Sequence, residues 1–492
     1  MYNLKKKILV WLDDELARFG IVKSIADQND FEIYAIIDVT EKAKNFFETQ
    51  TLVNFKQKWY IHDEIDMSKK PDLTYLKNFE KEYKINLWSL ANNERVFNKF
   101  NNFYRFSHDE ILQILEHECK LFEKIINFVK PDCIFLQIPF HHHIQLFFHL
   151  CNKQVIKTLF LRNSSHNTSK SFFAEHHELL GKSFEEIINK SHTKELKIEE
   201  SNYNKRIKEL SKIVLSSKKR FFSAGIKYFL FSSVQSKYNY RYFGRSKLKI
   251  LKNSFFVSLR TWYRKKYIDS KLLKNINLEE PFIYFPLQIE QEHVLSTLAP
   301  YHNNQISLIE NIAQSLPMGY KLYVKEHPTM YVRDWRSTRD YETLFNLPNV
   351  KLLHPSFSSK DLLKNTDLVI TISGTSALEA GYYNKPSIML ADRYFSKFPF
   401  IVRINLLDEL PKTIIKILST EHNYDSIKNY IDYINSISFP VDYHRLTLKS
   451  LDAFHYGGFL VDTNIDINTM NEFLIDNKPE FDFIANEFIK NM

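Results

Sequence analysis

Two short polar segments carry the strongest chemical signal in this sequence. They are Lys325-Glu326-His327-Pro328 and the hydroxyl-rich turn Ser373-Gly374-Thr375-Ser376. Each follows an apolar run typical of a β-strand, and the second precedes residues that favour a helix. Hydroxyls, a histidine and a lysine beside the free N–H groups of a helix N-terminus can hold an anion such as a phosphate. A structural turn and a helix cap are the plainer alternatives for each segment taken alone.

The elements around these segments predict that they meet. Residues 282–287, 321–325, 350–353, 367–372 and 387–390 read as strands, with helices between most of them. In an open α/β sheet, ligands bind at the edge formed by the carboxyl ends of the strands. We therefore expect both segments to lie at this edge. The stretch 285–292 (FPLQIEQE) follows the first of these strands and should place Gln288 or Glu292 at the same edge.

The N-terminal half has a similar pattern, with strands expected at 7–12, 31–38, 133–138 and 155–161. Asp13, Asp14 and Glu15 follow the first strand, where they would serve either as a general base for an acceptor hydroxyl or as caps of the next helix. Adjacent histidines on a helix point in different directions, so His141–His143 predict no three-histidine metal site, although one of them could line a cleft. Residues 163–165 (NSS) could contact an acceptor.

The charge is concentrated in one region. The chain of 492 residues has a net charge of +9, but residues 204–267 contain 18 Lys and Arg and a single acid, so this stretch is +17 and the remainder is 9 − 17 = −8. Cations alternate there with aromatic residues, which suits an anionic membrane surface or an anionic glycolipid. Nucleic acid is the less favoured partner, and a solvated basic face is the alternative without a partner.

Composition and length indicate a globular protein of more than one domain. Three cysteines without a CxxC pair predict neither a disulfide framework nor a zinc site. The sequence contains no apolar run of about 18 residues, as a membrane span would need, and its basic start lacks the apolar core of a signal peptide. We therefore expect a cytoplasmic protein, with peripheral contact at the inner face of the cytoplasmic membrane as a further option.

The order of the motifs over residues 282–400 resembles the capsule polysaccharide biosynthesis proteins, a family that includes Kdo transferases of bacterial surface glycans. The family's FPLHYQPE appears here as FPLQIEQE, so that Gln288-Ile289 and Glu290-Gln291 depart from the pattern while Glu292 is retained. This departure concerns the acceptor or the sugar more than the nucleotide site. The other matching motifs are Asn304-Gln305, 315–317 (SLP), 324–328 (VKEHP), Asn349-Val350, 371–375 (TISGT), Glu379-Ala380, Lys385-Pro386 and Tyr394.

The resemblance implies an α/β, GT-B-like fold in which two Rossmann-like domains face a cleft, with a basic helical insertion between them. The expected boundaries are 1–200 (acceptor domain), 201–270 (insertion), 271–420 (nucleotide-sugar domain) and 421–492 (helices packing across the domains). It also implies similarity to bacterial sialyltransferases, in which an HP motif and a Ser/Thr turn hold the donor nucleotide. On this basis the donor-binding residues are Lys325, His327, Pro328, Ser373, Gly374, Thr375, Ser376 and Glu379.

The function implied is a glycosyltransferase that moves a sugar from a nucleotide donor to a glycan or lipid-linked glycan acceptor. CMP-linked sugars, such as Kdo or a sialic-acid-like sugar, are candidate donors. Asp13, Glu292 and His327 are the catalytic candidates, and neither a metal nor another cofactor is expected. The alternatives are a nucleotide-sugar epimerase of GT-B fold and a non-catalytic subunit that binds glycan or nucleic acid.

Overall fold

The computed structural model describes most of the chain. The described residues are 5–28, 30–63, 65–97, 101–164, 167, 169–175, 186–187, 225–226, 228, 238–289, 295, 299–328, 336–458, 460 and 462–492. Glu292, Ser165 and almost all of the basic stretch 204–237 lie outside them.

The N-terminal domain is built on a six-stranded sheet with the order β3-β2-β1-β4-β5-β6. Strands β1 to β5 are parallel, and β6 pairs antiparallel with β5. The strands are Lys6–Asp13, Phe31–Asp38, Gln57–Tyr60, Cys133–Leu136, Thr158–Asn163 and Ser171–Glu175, in chain order. The strand order reverses between β1 and β4, which is where a doubly wound sheet opens a crevice for ligands.

The C-terminal domain contains a second six-stranded sheet, with the order β12-β11-β10-β7-β8-β9 and all strands parallel. Its order reverses between β7 and β10, so the strands that precede 285–292 and 373–376 lie side by side. These strands, β7 to β12, are Phe282–Pro286, Lys321–Lys325, Val350–Leu353, Leu368–Thr371, Ser387–Met389 and Ile401–Arg403. The predicted α/β class with two parallel-dominated sheets is therefore confirmed.

Sixteen α-helices among the described residues cover these sheets. Both faces of each sheet are covered, which explains why strands such as β1 are continuous apolar runs rather than alternating ones. The helices α1 to α16 are Ala17–Ala26, Glu41–Thr49, Leu73–Tyr83, Leu87–Asn93, His108–Val129, His142–Lys153, Lys247–Lys271, Gln305–Gln314, Thr338–Phe345, Ser359–Asn365, Ser376–Gly381, Leu410–Leu418, Ser426–Ile437, Tyr443–Phe454, Ile467–Asp476 and Lys478–Asn491.

The chain returns to the N-terminal domain after completing the second sheet. Helix α13 packs with residues of the C-terminal domain, such as Phe400 and Leu378. Helices α14 to α16 then cover one face of the N-terminal sheet, where Phe481 and Phe488 join the core that contains Ile8 and Phe19. The three cysteines are buried and free.

Helix α7 connects the two domains. The residues before it dock on the N-terminal domain, because Tyr240 is part of that domain's core. Its last turn docks on the C-terminal domain through Ile268 and Leu272. Among the described residues, no helix combines the length and the hydropathy that a membrane crossing requires.

Candidate functional site

Three loops meet at the carboxyl edge of the C-terminal sheet. They follow the adjacent strands β10, β7 and β8, and they contain Ser373–Ser376, Leu287–Gln288 and Glu326–Pro328 respectively. The prediction that the two polar segments lie at one edge is thus confirmed by the strand order, with strand β7 between them.

Gln288 joins the middle loop to the hydroxyl-rich turn. Its side-chain amide lies 3.1 Å from Thr371 Oγ1 and 3.0 Å from Ser373 Oγ. In the amide orientation that satisfies both of its polar atoms, the Gln288 carbonyl oxygen also accepts the N–H groups of Ser373, at 3.1 Å, and Gly374, at 2.6 Å. A Cβ on Gly374 would lie 2.8 Å from this amide and from Thr371 Oγ1, so the close packing requires glycine.

A buried ion pair joins the same loop to the segment after β8. Arg336 Nη2 donates to the Gln288 main-chain oxygen at 2.6 Å, and Arg336 Nε lies 3.1 Å from Glu326 Oε2. Tyr341 donates to the same carboxylate oxygen at 2.6 Å, and the His327 N–H donates to Glu326 Oε1 at 2.8 Å. The Glu326 carboxylate is therefore buried and orients the His327 backbone, and it is not open to a ligand.

We call these contacts the strand-end network. The network links the ends of β7, β8 and β10. Its members are Gln288, Gln305, Glu326, Arg336, Tyr341, Thr371, Ser373 and Gly374. Gln305 completes it by hydrogen bonding to the Gln288 main chain in both directions, at 2.8 and 2.9 Å.

Lys325 and Glu379 form a charged layer beside this network. Lys325 is buried and donates to Ser359 Oγ at 2.8 Å, and burial lowers the pKa of its ammonium group to about 8 against the opposing effect of Glu326 and Glu379. Glu379 is half-buried and accepts from Thr375 Oγ1 at 2.8 Å. Burial raises the pKa of the Glu379 carboxyl, and Lys325 lowers it. Ser376 Oγ is buried without a hydrogen-bond partner among the described residues.

Most of the predicted donor-binding residues thus lie in one region. Lys325, His327 and Pro328 come from the loop after β8, while Ser373 to Ser376 and Glu379 come from the turn after β10 and from α11. The sequence drew no attention to Arg336 or Tyr341, because neither belongs to a motif. The one signal in the sequence was Glu326, an acidic residue at the end of a predicted strand, because a carboxylate buried there needs a cation nearby.

Asp13, in the N-terminal domain, is held by a salt bridge. Its Oδ1 lies 2.9 Å from Arg18 Nη1 and accepts the Glu15 N–H at 3.0 Å. Arg18 also contacts the Tyr443 hydroxyl at 3.5 Å, which ties β1 to α14. The neighbouring Asp14 has a buried carboxylate oxygen without a partner among the described residues, and burial raises its pKa well above the usual range.

A histidine–carboxylate network lies beyond the carboxyl ends of strands β2, β3 and β4. His62 Nε2 and His143 Nε2 each lie 2.9 Å from an oxygen of Asp38, which Arg241 also contacts. His142 bridges Glu94, at 3.0 Å, and Glu118, at 2.9 Å. The members of this histidine–carboxylate network are Asp38, His62, Glu94, Glu118, His142, His143, Tyr240 and Arg241. Adjacent His142 and His143 contact different carboxylates, whereas His141 and His142 both contact Glu94.

The protonation states in this network follow from its pairing. Burial by itself would lower the pKa of His142, but Glu118 and Glu94 raise it to about 10, so the ring is cationic. Burial lowers the pKa of His143 to about 4, although Asp38 opposes this. Glu118, His142 and His143 offer ligand atoms within 4.8 Å of one another. Both ring nitrogens of His142 are engaged in hydrogen bonds, to Glu94 and to Glu118.

Residues 193–398 match the family model described as capsule polysaccharide biosynthesis protein. The chain is thus similar to that family over a segment that is less than half of its length. The matched segment contains the KEHP and SGTS motifs and helix α7, and it extends further towards the N-terminus than the motifs predicted. The comparison with curated proteins found no match.

Several solved structures are similar to the chain at low identity. A UDP-GlcNAc 2-epimerase from Methanocaldococcus jannaschii is 14% identical with a TM-score of 0.24, covering 88% of this chain and 100% of its own. The β-Kdo 2,7 transferase KpsC from Thermosulfurimonas dismutans is 11% identical with a TM-score of 0.30, covering 63% and 79%. The β-Kdo 2,4 transferase KpsC from the same organism is 11% identical with a TM-score of 0.30, covering 61% and 78%.

Proposed function

We propose that this chain is a glycosyltransferase of bacterial capsule or surface polysaccharide assembly. It takes a sugar from a nucleotide donor and attaches it to a glycan or a lipid-linked glycan acceptor. The observation that carries the proposal is the strand-end network, which lies at the carboxyl edge of the sheet and within the segment that matches the family model. The KEHP and SGTS motifs favour a CMP-linked donor, such as Kdo or a sialic-acid-like sugar.

The chemistry of the donor half fits these residues. When the bond to the sugar breaks, negative charge builds on the phosphate of the departing nucleotide. Positioned hydrogen-bond donors and a nearby cation stabilise such charge without reorganising. Within this region His327 and the Ser376 hydroxyl are the proposed hydrogen-bond donors to the phosphate, because the Ser373 and Gly374 N–H groups are engaged with Gln288 and the Thr375 hydroxyl with Glu379. Lys325 supplies positive charge from beneath. We assign Glu379 to the ribose hydroxyls, because it is anchored by Thr375 at the base of the turn.

The acceptor half requires a base for the attacking hydroxyl. Asp13 and Glu292 stay the proposed candidates, together with His327. Burial raises the pKa of the Asp13 carboxyl, as suits a group that accepts a proton, while the salt bridge with Arg18 opposes this and favours the ionised form.

Calorimetric titration of CMP, UDP and GDP tests the donor site. We expect one of these nucleotides to bind the wild-type protein and His327→Ala to weaken it at least about tenfold, which corresponds to about 1.4 kcal/mol. The matched control is His422→Ala, since His422 lies in the same domain but outside the network, where it contacts the Ile417 carbonyl at 3.0 Å and the ring of Tyr424. A wild-type protein that binds none of the three nucleotides would overturn the proposal.

The acceptor is proposed to reach the enzyme at an anionic membrane surface, and the exposed face of α7 supports this. Five large apolar side chains repeat along the helix at helical spacing, with Phe255 61% and Trp262 64% exposed. Only Ile268 is buried in the whole helix. Lysines and arginines flank the apolar stripe, which contains Leu248, Leu251, Phe255, Leu259 and Trp262. This combination is typical of helices that lie in the interface of an anionic bilayer.

A further inference from the structure

Two arginines from opposite domains approach each other at the carboxyl edges of the two sheets. Arg162 lies near the end of β5, and Arg393 lies in the loop that follows β11. Burial lowers the pKa of the Arg393 guanidinium, and the charge of Arg162 lowers it further against the opposing effect of two tyrosines. The two domains thus bring two positive charges to one place.

The loop that contains Arg393 runs beside the hydroxyl-rich turn. Strand β11 pairs with β10, and just beyond this ladder the Ala391 N–H donates to the Ile372 oxygen at 2.8 Å. Arg393 follows this contact on one chain segment, and the Ser373–Ser376 turn follows it on the other. Arg393 is therefore placed to contact the group attached to a phosphate that binds at the turn.

An apolar cluster holds the N-terminal domain against the same loop. Arg162 pairs in register with Phe172 of β6, so both side chains lie on one face of the sheet. Phe172 belongs to the same buried cluster as Phe395 and Tyr430 of the C-terminal domain. The Arg393 guanidinium lies over the Phe395 ring, 5.4 Å from its centroid. Both arginines therefore border one apolar contact between the domains.

Among the described residues, no carboxylate forms a salt bridge with Arg393. Its neighbour Asp392 pairs instead with Arg403, at 3.1 Å. The Arg393 Nε is buried without a hydrogen-bond partner in the described part of the chain, but the side chain as a whole is partly exposed, so a ligand can reach the Nη groups at its tip. A largely buried cation without an acid is costly, and the planar fork of a guanidinium matches a carboxylate through two parallel hydrogen bonds.

We propose that Arg393, with Arg162 opposite, binds the carboxylate of a sugar acid between the two domains. The proposal rests on the proposed function and narrows its substrate class to carboxylated sugars. The phosphate of the nucleotide is a separate anion, because its proposed hydrogen-bond donors follow β8 and β10 rather than β11. Arg393 is therefore a binding residue that determines specificity for an acidic sugar.

A saturation-transfer NMR titration with the methyl glycosides of Kdo and of N-acetylneuraminic acid tests the site. We expect at least one of them to bind the wild-type protein. Its methyl ester, which has the same ring without the charge, should bind at least about tenfold more weakly, because charge-assisted hydrogen bonds are lost. Competition with the CMP-linked sugar identifies the source of the carboxylate: displacement assigns it to the donor sugar, and simultaneous binding assigns it to the acceptor glycan.

Arg393→Gln should weaken binding of the acid as much as the ester does, and Arg162→Gln should weaken it too. Arg393→Lys should cost less than Arg393→Gln, because lysine keeps the charge but loses the planar fork. The matched control is Arg339→Gln, which removes one positive charge at an exposed position of α9 in the same domain and should leave binding unchanged.

Three outcomes would overturn the proposal: neither glycoside binds the wild-type protein, the ester binds as tightly as the acid, or Arg393→Gln, with an unchanged melting temperature, binds as tightly as the wild type. The nucleotide titration separates this result from the proposed function. A protein that binds a nucleotide but no sugar acid would refute the Arg393 site alone. A protein that binds a sugar acid but no nucleotide would refute the transferase and leave the Arg393 site in place.

Discussion

Buried charge at single residues shapes both domains. In the N-terminal domain, the His142 ring stands between two carboxylates that are themselves almost completely buried. In the C-terminal domain, Arg336 and Glu326 form a buried ion pair. Removing one partner of such a pair leaves an uncompensated buried charge, which is far more costly than losing a surface salt bridge.

We predict that His142→Ala lowers the free energy of unfolding by about 3–5 kcal/mol near pH 6, because Glu94 and Glu118 lose their shared cation. Its folded-state pKa of about 10 lies above the usual value of 6.5, so this stabilisation is complete below pH 6.5 and is lost as the pH rises through 10. Urea unfolding at pH 6, 8 and 10.5 measures the difference.

The control for His142 is His108→Ala, because His108 is exposed and its contacts, with Asp109 and the ring of Trp88, are at the surface. This variant should change the free energy of unfolding by less than about 0.5 kcal/mol. If His142→Ala cost as much at pH 10.5 as at pH 6, the ring would not be the cation that the network requires.

Among the secondary-structure elements, helix α7 buries little of its surface, since Ile268 is its one buried residue. It spans 25 residues with eight basic side chains and one acid, Asp269, and its apolar stripe points to solvent. A helix of a globular domain normally buries such a stripe against its core. The exposed stripe of α7 is continuous over three turns and more, which marks an interaction surface.

We predict that the protein co-sediments with vesicles of phosphatidylglycerol and phosphatidylethanolamine, and less with phosphatidylcholine alone. Phe255→Ser with Trp262→Ser should weaken binding by removing buried apolar area, at about 25 cal/mol per Å². Arg264→Gln with Lys265→Gln and Lys266→Gln should weaken binding to the anionic vesicles only.

Tyr301→Ser is the matched control for the aromatic substitutions, because Tyr301 is almost fully exposed but lies outside α7. If the charge variant bound anionic vesicles as strongly as the wild type, the membrane proposal would fail. Retention of the protein by single-stranded DNA in place of vesicles would favour the nucleic-acid alternative.

At the scale of the whole molecule, the chain passes from the N-terminal domain to the C-terminal domain and then returns to the first. Helices α14 to α16 complete the core of the N-terminal domain although they follow the C-terminal one in sequence. Helix α16 packs on α1 at Gly20, where a Cβ would lie 2.5 Å from the ring of Phe481. Through this contact, helix α16 stabilises helix α1.

We predict that Gly20→Val lowers the free energy of unfolding by about 1–3 kcal/mol, because the added methyl groups overpack the contact with Phe481. The same substitution should cost less in a Phe481→Leu background, and a double-mutant cycle by urea unfolding measures this coupling. Gly225→Val is the control, since a side chain there meets nothing within 4 Å. Equal costs in both backgrounds would contradict the proposed contact.

The local pattern of the sequence determined much of this fold. Continuous apolar runs predicted strands β1, β2, β4 and β7 to β11, because a strand buried on both faces needs apolar side chains throughout. The KEHP and SGTS motifs, at the ends of two such strands, predicted one ligand-binding edge. The order of the motifs also predicted the family whose model matches residues 193–398.

Only the tertiary structure decided which polar groups pair. Gln288, a departure from the family motif, contacts Thr371 and Ser373 more than 80 positions away, and Asp38 gathers His62, His143 and Arg241 across up to 203 positions. Residue types and local periodicity predict which element a side chain belongs to. They contain no information on the partner that folding brings to each side chain, and that partner determines the role of a buried group, as Arg336 and Tyr341 do for Glu326.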